Sequence, residues 1–460
     1  MKAPSEYETY KSNPAEHVFQ QVELRETEKL KEEKKFLCKK YIEKGSLAEC
    51  IINLCIISFG IGLLALPQKV NYLTLIMTPI LIIIFGIINC WTFSVLSDAS
   101  RQFNVNKYED IVYTLFNPCF TYFFIIVVGI GLCGIMILFQ VILYKFIGGV
   151  INELFSFGYN NMEDFARESF WGRKKIRLIV CFSIAAVILF PICLIKTFSK
   201  LRYVTTFGVF SVFAIIIIII IQCPSFYKNN VIKKKQKLNI FDFSYGFNYN
   251  LKFIQSISTI IYSYACHAGV LPVISGLDNP IRERVQKVFI SSTTINIICY
   301  TIITLCGYLS QPENTPDLIL EREKISKKDY LMTVGLILFS ITLITKIVST
   351  YNVLRSLLLN LFKFDSINFP NSINFILTII TLAITTFVAA MFQNISDCIN
   401  INGAFYGLFI AVIMPGIIYI KTNNYSLYHI KNILAIIFIV ILSCIGGVTI
   451  FFTFKRIFGF

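Results

Sequence analysis

The sequence predicts an all-α membrane protein of about 11 transmembrane helices, organised as two halves of five helices and one accessory helix. Composition is the first observation behind this fold class, because 55% of the 460 residues are apolar and only 15% are charged. A soluble domain has roughly 25% charged residues. The second observation is that apolar segments of about 20 residues recur along the chain, whose mean hydropathy is +0.68. The third is that two of these segments are interrupted at matching places in the two halves.

Residues 1–45 are strongly polar and cannot bury enough apolar surface to fold alone, so we expect a disordered or loosely helical cytosolic tail. The transmembrane domain is expected over residues 46–456. Its first half covers 46–223, its second half covers 253–420, and the accessory helix covers 430–455. The third and eighth spans are longer than a bilayer requires. The predicted spans are 46–70, 72–97, 118–149, 176–196, 202–223, 253–277, 287–309, 331–362, 373–393, 398–420 and 430–455.

The net charge of +15 bears on the partners of the chain. The basic residues are scattered through the loops between spans, which is typical of a surface that lies against anionic lipid headgroups. We therefore expect the lipid bilayer, and no nucleic acid, as the partner of this charge. The 14 cysteines lie mostly inside apolar spans and show no metal-binding spacing.

Motifs of the common enzyme classes are missing from the sequence. The chain has no GxxxxGKS/T phosphate loop, no HExxH zinc motif and no GxSxG nucleophile elbow. We therefore expect no enzyme activity, no metal site and no organic cofactor.

Two spans contain residues that interrupt a helix. The first span carries SFGIG over residues 58–62, and the sixth carries YACHAGVLP over residues 264–272. Glycine and proline weaken helices, and unwound backbone survives at membrane depth only where protein or a wet cavity covers it. The two breaks therefore predict a binding site near the middle of the membrane.

Three segments in order carry motifs of one family. The first span resembles the pattern NxxxxxxGxGxLxLP, at Asn53, Gly60, Gly62, Leu64, Leu66 and Pro67. The sixth resembles a signature of two aromatic residues followed by CHxxVLP, from Tyr262 to Pro272, with a basic segment after it at Arg282, Arg284, Gln286, Lys287 and Val288. The tenth resembles the family's last motif at Gly403, Gly407, Pro415, Tyr419, Ile420 and Lys421. Nearly everything after residue 45 thus resembles the amino acid/auxin permease family of the amino acid–polyamine–organocation superfamily.

The resemblance implies a LeuT-like inverted-repeat fold with interrupted helices 1 and 6. It also implies secondary active transport of amino acids by alternating access, coupled to H+ or Na+, and a cytosolic N-terminus. Between the two ions we favour H+, because a lysine, Lys346, lies inside the eighth span. The implied location is a plasma membrane or a vacuolar or lysosomal type of membrane, and we expect a monomer. One alternative stays open, an amino acid sensor of the same fold with little flux.

An amino acid carries a carboxylate and an ammonium, and both need fixed partners inside a membrane. Amide groups freed at a half-helix N-terminus suit the carboxylate, which gives this role to Gly60, Ile61 and Gly62. Freed carbonyl groups suit the ammonium, and they are expected at Ser58, Phe59, Tyr264, Ala265 and Cys266. The side-chain pocket is expected to be walled by Tyr262, Tyr264 and, from the third span, Gln140. The alternative is that the glycines only allow close helix packing.

Two titratable residues inside the spans are candidates for ion coupling. His267 either accepts and releases a proton during transport or hydrogen-bonds the unwound backbone as a neutral ring. Lys346 lies mid-span, where an ammonium needs a cavity or a partner, with Thr345 and Ser349 within one turn. Counted back from Arg355, which resembles the family's arginine in this span, Lys346 falls on or near the hydroxyl position that binds sodium in coupled relatives. The ammonium would then replace the ion. The alternatives are that Lys346 snorkels or pairs with an acid, or that Thr345 still binds sodium.

Overall fold

The computed structural model describes residues 45–155, 159, 165, 169–195, 202–240, 247–325, 329–362, 369–392, 394–423, 425, 426 and 428–459. The tail predicted at the N-terminus therefore lies outside the described residues except for its last one. Within these ranges the secondary structure is helical, with no β-strand. Ten helices there are long and apolar enough to cross a membrane, and a bent pair at the start makes an eleventh span. The predicted all-α fold with its number of spans is confirmed.

We label the helices that build the spans and the site α1 to α14 in chain order. The first span consists of α1 and α2, and the sixth consists of α8 and α9. The helices are α1 (Leu47–Ser58), α2 (Ile61–Leu73), α3 (Met77–Phe103), α4 (Tyr108–Leu115), α5 (Pro118–Leu154), α6 (Lys174–Cys193), α7 (Arg202–Tyr227), α8 (Phe247–Tyr264), α9 (Val270–Ile274), α10 (Arg282–Ser310), α11 (Tyr330–Leu361), α12 (Asn371–Met391), α13 (Ile395–Thr422) and α14 (Ile430–Phe458).

The two longest helices form the centre of the bundle. α5 has 37 residues and α11 has 32, so they measure about 55 Å and about 48 Å, compared with roughly 30 Å of hydrocarbon in a bilayer. The excess length predicted for the third and eighth spans is therefore present. α11 packs against both α5 and α7, while α10 packs against α1, α2 and α3. The halves of the first span thus lie between long, continuous helices.

The first span bends where its backbone leaves the helical conformation. α1 starts behind Ser46, whose side chain accepts a hydrogen bond from the Glu49 amide and so caps the helix. α1 ends at Ser58, and the next two residues, Phe59 and Gly60, have extended backbone. α2 then continues at an angle of 55° to α1. The predicted interruption of helix 1 is present.

The sixth span is interrupted without losing its overall direction over Leu251–Ile274. α8 ends at Tyr264, and Ala265 and Cys266 are not helical. A single 3-10 turn over His267–Gly269 leads into α9. The main-chain hydrogen bonds of the helix are therefore broken where the sequence predicts, although the axis does not kink as it does in the first span.

α14 lies at the edge of the bundle. Only 22% of its most apolar stretch is buried, the lowest share among the spans of the described residues. It packs mainly on α8 and α13. This position agrees with the accessory role predicted for the last helix.

The loop between α10 and α11 is fixed to the helices around it. Lys324 forms an ion pair with Glu153 near the end of α5. Arg322 is buried, and burial lowers the pKa of its guanidinium to about 10, while Asp329 opposes the shift. Arg322 therefore stays charged at neutral pH. The same loop places Asp317 in the wall of a cavity between the helices.

Candidate functional site

An uncapped helix N-terminus lies at the first break. α2 begins at Ile61. The residue before it, Gly60, has no side chain that could accept hydrogen bonds from the first amide groups of the helix. These N–H groups and the positive end of the α2 dipole favour an anion. A Cβ added at Gly60 would have the Ser58 carbonyl oxygen as its nearest neighbour, at 3.9 Å. The space beside Gly60 is therefore open to a ligand.

The two broken helices touch each other directly. A Cβ added at Gly62 would lie 2.4 Å from Ser263 Oγ and 2.7 Å from Ser263 Cα. The Ser58 hydroxyl and the Cys266 thiol are 3.1 Å apart. Gly62 is therefore required for packing of α2 on α8, so the packing alternative applies to Gly62 but not to Gly60.

A tyrosine from α10 holds both breaks. The Tyr300 hydroxyl is shared between the Ser58 carbonyl oxygen at 3.0 Å and the Ser263 carbonyl oxygen at 2.7 Å. Tyr300 is fully buried. Sequence reasoning missed it, because a tyrosine within an apolar span carries no signal of its own. The Ser58 carbonyl, predicted as a partner for the substrate ammonium, already accepts this hydrogen bond.

Lys346 reaches the first break from α11. Its ammonium donates to the carbonyl oxygens of Ile56 at 2.6 Å and Ile57 at 3.3 Å. Both carbonyls lie in the last turn of α1, where the helix leaves them without intrahelical partners. Among the described residues Lys346 forms no ion pair with a carboxylate. The ammonium thus binds the main chain at the break.

A cavity of about 750 Å³ lies beside both breaks. This central cavity extends to Glu49 at the start of α1 and to Lys107 and Glu109 at the start of α4. These residues lie at the face of the bundle where the first span begins. The central cavity is therefore reached from that face, and its size suits a small organic molecule.

One wall of the central cavity is apolar. It is formed by side chains of α5, α7 and α13: Leu132, Ile135, Phe139, Val212 and Tyr406. These residues were not among the predicted site residues, since apolar residues in a membrane span resemble lipid-facing ones in sequence. The same cavity is also lined by hydroxyl groups of α11, which include Thr345 and Ser349.

The central cavity brings together most of the predicted site residues. Those that line it are Ser58, Phe59, Gly60, Ile61, Gly62, Tyr262, Ala265, Cys266, Thr345, Lys346 and Ser349. Three others are not among its lining residues: Gln140, Tyr264 and His267. Each of these three makes a contact that explains its position.

Gln140 lies in a polar layer beyond the central cavity. Its Nε2 donates to Thr385 Oγ1 of α12 at 3.1 Å. In the same layer Thr259 Oγ1 of α8 donates to Asn400 Oδ1 of α13 at 3.2 Å. On α5, Gln140 falls between Phe139, which lines the central cavity, and Val141, which lines a second cavity. On α8, Thr259 likewise falls between lining residues of the two cavities. We therefore call these two hydrogen-bonded pairs the partition.

Tyr264 and His267 face away from the cavity towards α3. The Tyr264 hydroxyl donates to the Ile82 carbonyl at 2.9 Å. His267 is fully buried, with Nε2 2.8 Å from Thr92 Oγ1 and its ring 4.8 Å from the Phe93 ring. Both residues therefore connect the second break to α3. The hydrogen bond of His267 goes to the Thr92 hydroxyl and not to the unwound backbone, which was the structural alternative given for it.

Two broken helices that meet beside a mid-span cavity define a membrane transporter with discontinuous helices. Within that class, the family model described as "Transmembrane amino acid transporter protein" matches residues 43–458. The chain belongs to this family, and the predicted family is confirmed. Because the family consists of transporters, the prediction that the chain is not an enzyme is confirmed as well.

Known relatives and a solved structure agree with this membership. The chain is 25% identical over 327 residues to AAT1 of Toxoplasma gondii, which is named as an amino acid transporter, covering 69% of this chain and 42% of that protein. It is 21% identical over 279 residues to the amino acid transporter AVT6B of Arabidopsis thaliana, covering 60% and 59%. The chain thus spans about half the length of these relatives. A manganese transporter of Eremococcus coleocola has a similar fold, with a TM-score of 0.52 at 10% identity over 89% of this chain and 87% of that one.

Proposed function

We propose that the protein is a secondary active transporter of amino acids that works by alternating access. The observation that carries this proposal is the uncapped N-terminus of α2, which faces the central cavity between two broken helices. A substrate carboxylate would accept hydrogen bonds from the amides of Ile61 and Gly62, and the α2 dipole would add to the attraction. All of these groups belong to one chain, which supports a monomeric transporter.

The substrate ammonium requires acceptors near the same point. The carbonyls of Ile56, Ile57 and Ser58 are engaged by Lys346 and Tyr300. We therefore assign the ammonium to the carbonyls of Phe59 and Ala265, which are not helical and line the cavity. This choice shifts the ammonium from the end of α1 towards the gap between the two breaks.

The walls of the cavity favour a neutral amino acid with an apolar side chain. The apolar wall from α5, α7 and α13 would bury such a side chain, at roughly 25 cal/mol for each Å² removed from water. Lys346 would repel a cationic side chain, because among the described residues no carboxylate neutralises it. The acidic residues that line the cavity, Glu49 and Glu109, lie at its mouth.

Lys346 also supports transport that does not require sodium. Its ammonium is a fixed positive charge that donates to carbonyls of the first break. A coupling cation at this position would need the same oxygen ligands. The Thr345 hydroxyl, the competing sodium ligand, donates its proton to the Thr342 carbonyl at 2.8 Å and keeps its lone pairs, so the charge of Lys346 is what disfavours a cation here. We therefore favour H+ over Na+ as the coupling ion.

Uptake into proteoliposomes tests the proposed function. We expect leucine and phenylalanine to be taken up faster than arginine or glutamate, and replacement of sodium by choline to leave the rate unchanged. Equal uptake of arginine would contradict the assignment of the apolar wall. Tight leucine binding without measurable counterflow would instead indicate a sensor of the same fold.

A further inference from the structure

A second cavity lies across the partition from the central one. Its volume is about 590 Å³. Polar and charged side chains dominate its walls, and they come from α2, α5, α8, α13, α14 and the loop before α11. They include Gln68, Lys69, Tyr72, Lys252, Asp317 and Ser396. We call this space the far cavity. Lys69 lies roughly 13 Å from Gly60 along the axis of α2. The far cavity is therefore separate from the proposed substrate site.

Lys69 is the most unusual residue of the far cavity. It is only 3% exposed although it is a lysine. Its ammonium donates to Gln68 Oε1 at 2.6 Å and to Ser396 Oγ at 3.4 Å. Both acceptors are neutral, and an ammonium has three donors. Among the described residues no third acceptor and no ion pair is found for Lys69.

The nearest carboxylate does not neutralise this ammonium directly. Asp317 Oδ1 accepts from Gln68 Nε2 at 2.5 Å, and Asp317 Oδ2 accepts from the Ser396 amide at 3.3 Å. Asp317 therefore holds the same two residues that hold Lys69, and its attraction to the ammonium acts from beyond direct contact.

Other basic residues also line the far cavity, and they differ in whether a carboxylate pairs with them. Lys252 donates to the Tyr72 hydroxyl at 3.2 Å and forms no ion pair among the described residues. Lys145 is paired with Glu321 at 3.7 Å, and Arg456 is paired with Asp397. These paired bases contribute little net charge. Arg177 of α6 lines the cavity as well, and its Nε donates to the Ala390 carbonyl at 2.6 Å. Among the described residues, Lys69 and Lys252 are the lysines of this cavity without an ion pair, and Asp317 is the carboxylate that lines it.

We propose that the far cavity binds a small monovalent anion at the Lys69 ammonium. A buried ammonium without a counter-charge is costly, and an anion in the cavity supplies that charge. The anion has two natural sources. One is the carboxylate of an amino acid that waits on the far side of the partition, and the other is chloride.

Thermal unfolding of the purified full-length chain tests this site. Sodium acetate or sodium chloride is titrated while the bulky sulfonate HEPES keeps the ionic strength constant. We expect a saturable rise of about 2 °C in Tm for the wild-type chain. A rise with acetate alone identifies a carboxylate site, a rise with chloride alone identifies a halide site, and a rise with both identifies a general anion site.

Three variants locate the effect. Lys69→Gln is expected to lose the rise, whereas Lys287→Gln, which removes an exposed lysine of α10, is expected to keep it. Gly60→Val narrows the central cavity, so a rise that survives in this variant does not come from anion binding at α2. Because these measurements need no transport, they remain informative even if the proposed function fails.

If Lys69→Gln does not fold, Lys252→Gln is a second variant that tests the anion site. Lys252 is exposed, so its replacement should preserve the fold while raising the midpoint anion concentration at least about threefold, since one nearby positive charge is lost. The absence of a saturable rise with either anion would overturn the proposal. So would an unchanged midpoint concentration in both lysine variants.

Discussion

At the scale of single residues, Lys346 supplies the hydrogen-bond donors that the last carbonyl groups of α1 need inside a membrane. The last carbonyls of a helix need donors, and hydrocarbon supplies none. The ammonium donates to two of them, at Ile56 and Ile57. The sequence predicted that a lysine at this depth needs a cavity or a partner, but only the structure shows that the partner is main chain. The spacing of residues within α11 carries no information about the position of α1.

We predict that Lys346→Met impairs transport without abolishing folding. Methionine keeps most of the volume but leaves the Ile56 and Ile57 carbonyls without their donor, which costs about 1–3 kcal/mol. We therefore expect an uptake rate roughly 5- to 150-fold lower, because about 1.4 kcal/mol corresponds to a factor of ten. Lys287→Met is the matched control, since Lys287 is exposed on α10. Normal uptake by Lys346→Met would show that the ammonium is dispensable.

Glu109 is the acidic residue that we expect to make the uptake rate depend on pH. It lines the mouth of the central cavity. Burial raises the pKa of its carboxyl group, while Lys107 opposes the shift. A raised pKa keeps the proton on the carboxyl group at higher pH, so Glu109 is more readily protonated near neutrality than an ordinary glutamate.

We predict that uptake increases as the external pH falls and that Glu109→Gln removes most of this dependence. The measurement is the initial rate of leucine uptake over about 3 pH units, from about pH 5 to about pH 8. Asp98→Asn, at an exposed ion pair with Arg282, is the control. A Glu109→Gln variant with the wild-type pH profile would exclude this residue as the proton acceptor.

At the scale of helices, the two glycines of the first break have different roles. Gly62 lies where α2 packs on Ser263 of α8, and an added Cβ would overlap backbone as well as side chain. Gly60 faces open space, and its backbone is extended, so its φ does not require glycine. The sequence predicted both glycines as ligand contacts because both lie at the break, and it left close helix packing open as the alternative. Their difference depends on what lies opposite each one.

We predict that the two substitutions separate folding from binding. Gly62→Ala should lower Tm, because α2 must move away from α8, while Gly60→Val should keep Tm and raise the KM for leucine at least about tenfold. Gly447→Ala in α14, where no atom lies within 4 Å of an added Cβ, is the control. Equal effects of both substitutions on Tm would contradict this separation.

The helices themselves were largely predictable, and their angles were not. Hydrophobic length alone located the spans, because a bilayer requires about 20 apolar residues for each crossing. The breaks followed from Gly, Pro and polar residues in those spans. In contrast, the 55° bend of the first span, and the absence of so sharp a bend in the described residues of the sixth, depend on the helices packed around them. Tyr300, which holds both breaks, became visible only through its contacts.

At the scale of the whole molecule, the described residues show a cavity that is open on one side of the breaks. The central cavity reaches the face where α1 begins, and the partition of Gln140 with Thr385 and Thr259 with Asn400 separates it from the far cavity. In the alternating-access mechanism that we propose, the partition would open while the face near Glu49 closes. Each pair in the partition is a neutral hydrogen bond, worth about 1 kcal/mol, so its exchange for water is energetically feasible.

An experimental structure with bound phenylalanine would test most directly where the substrate lies. We predict the carboxylate about 3 Å from the amide nitrogens of Ile61 and Gly62 and the phenyl ring against Leu132, Ile135 and Phe139. Density for the ligand elsewhere, or a first span that forms one continuous helix in the bound state, would contradict the proposed mechanism.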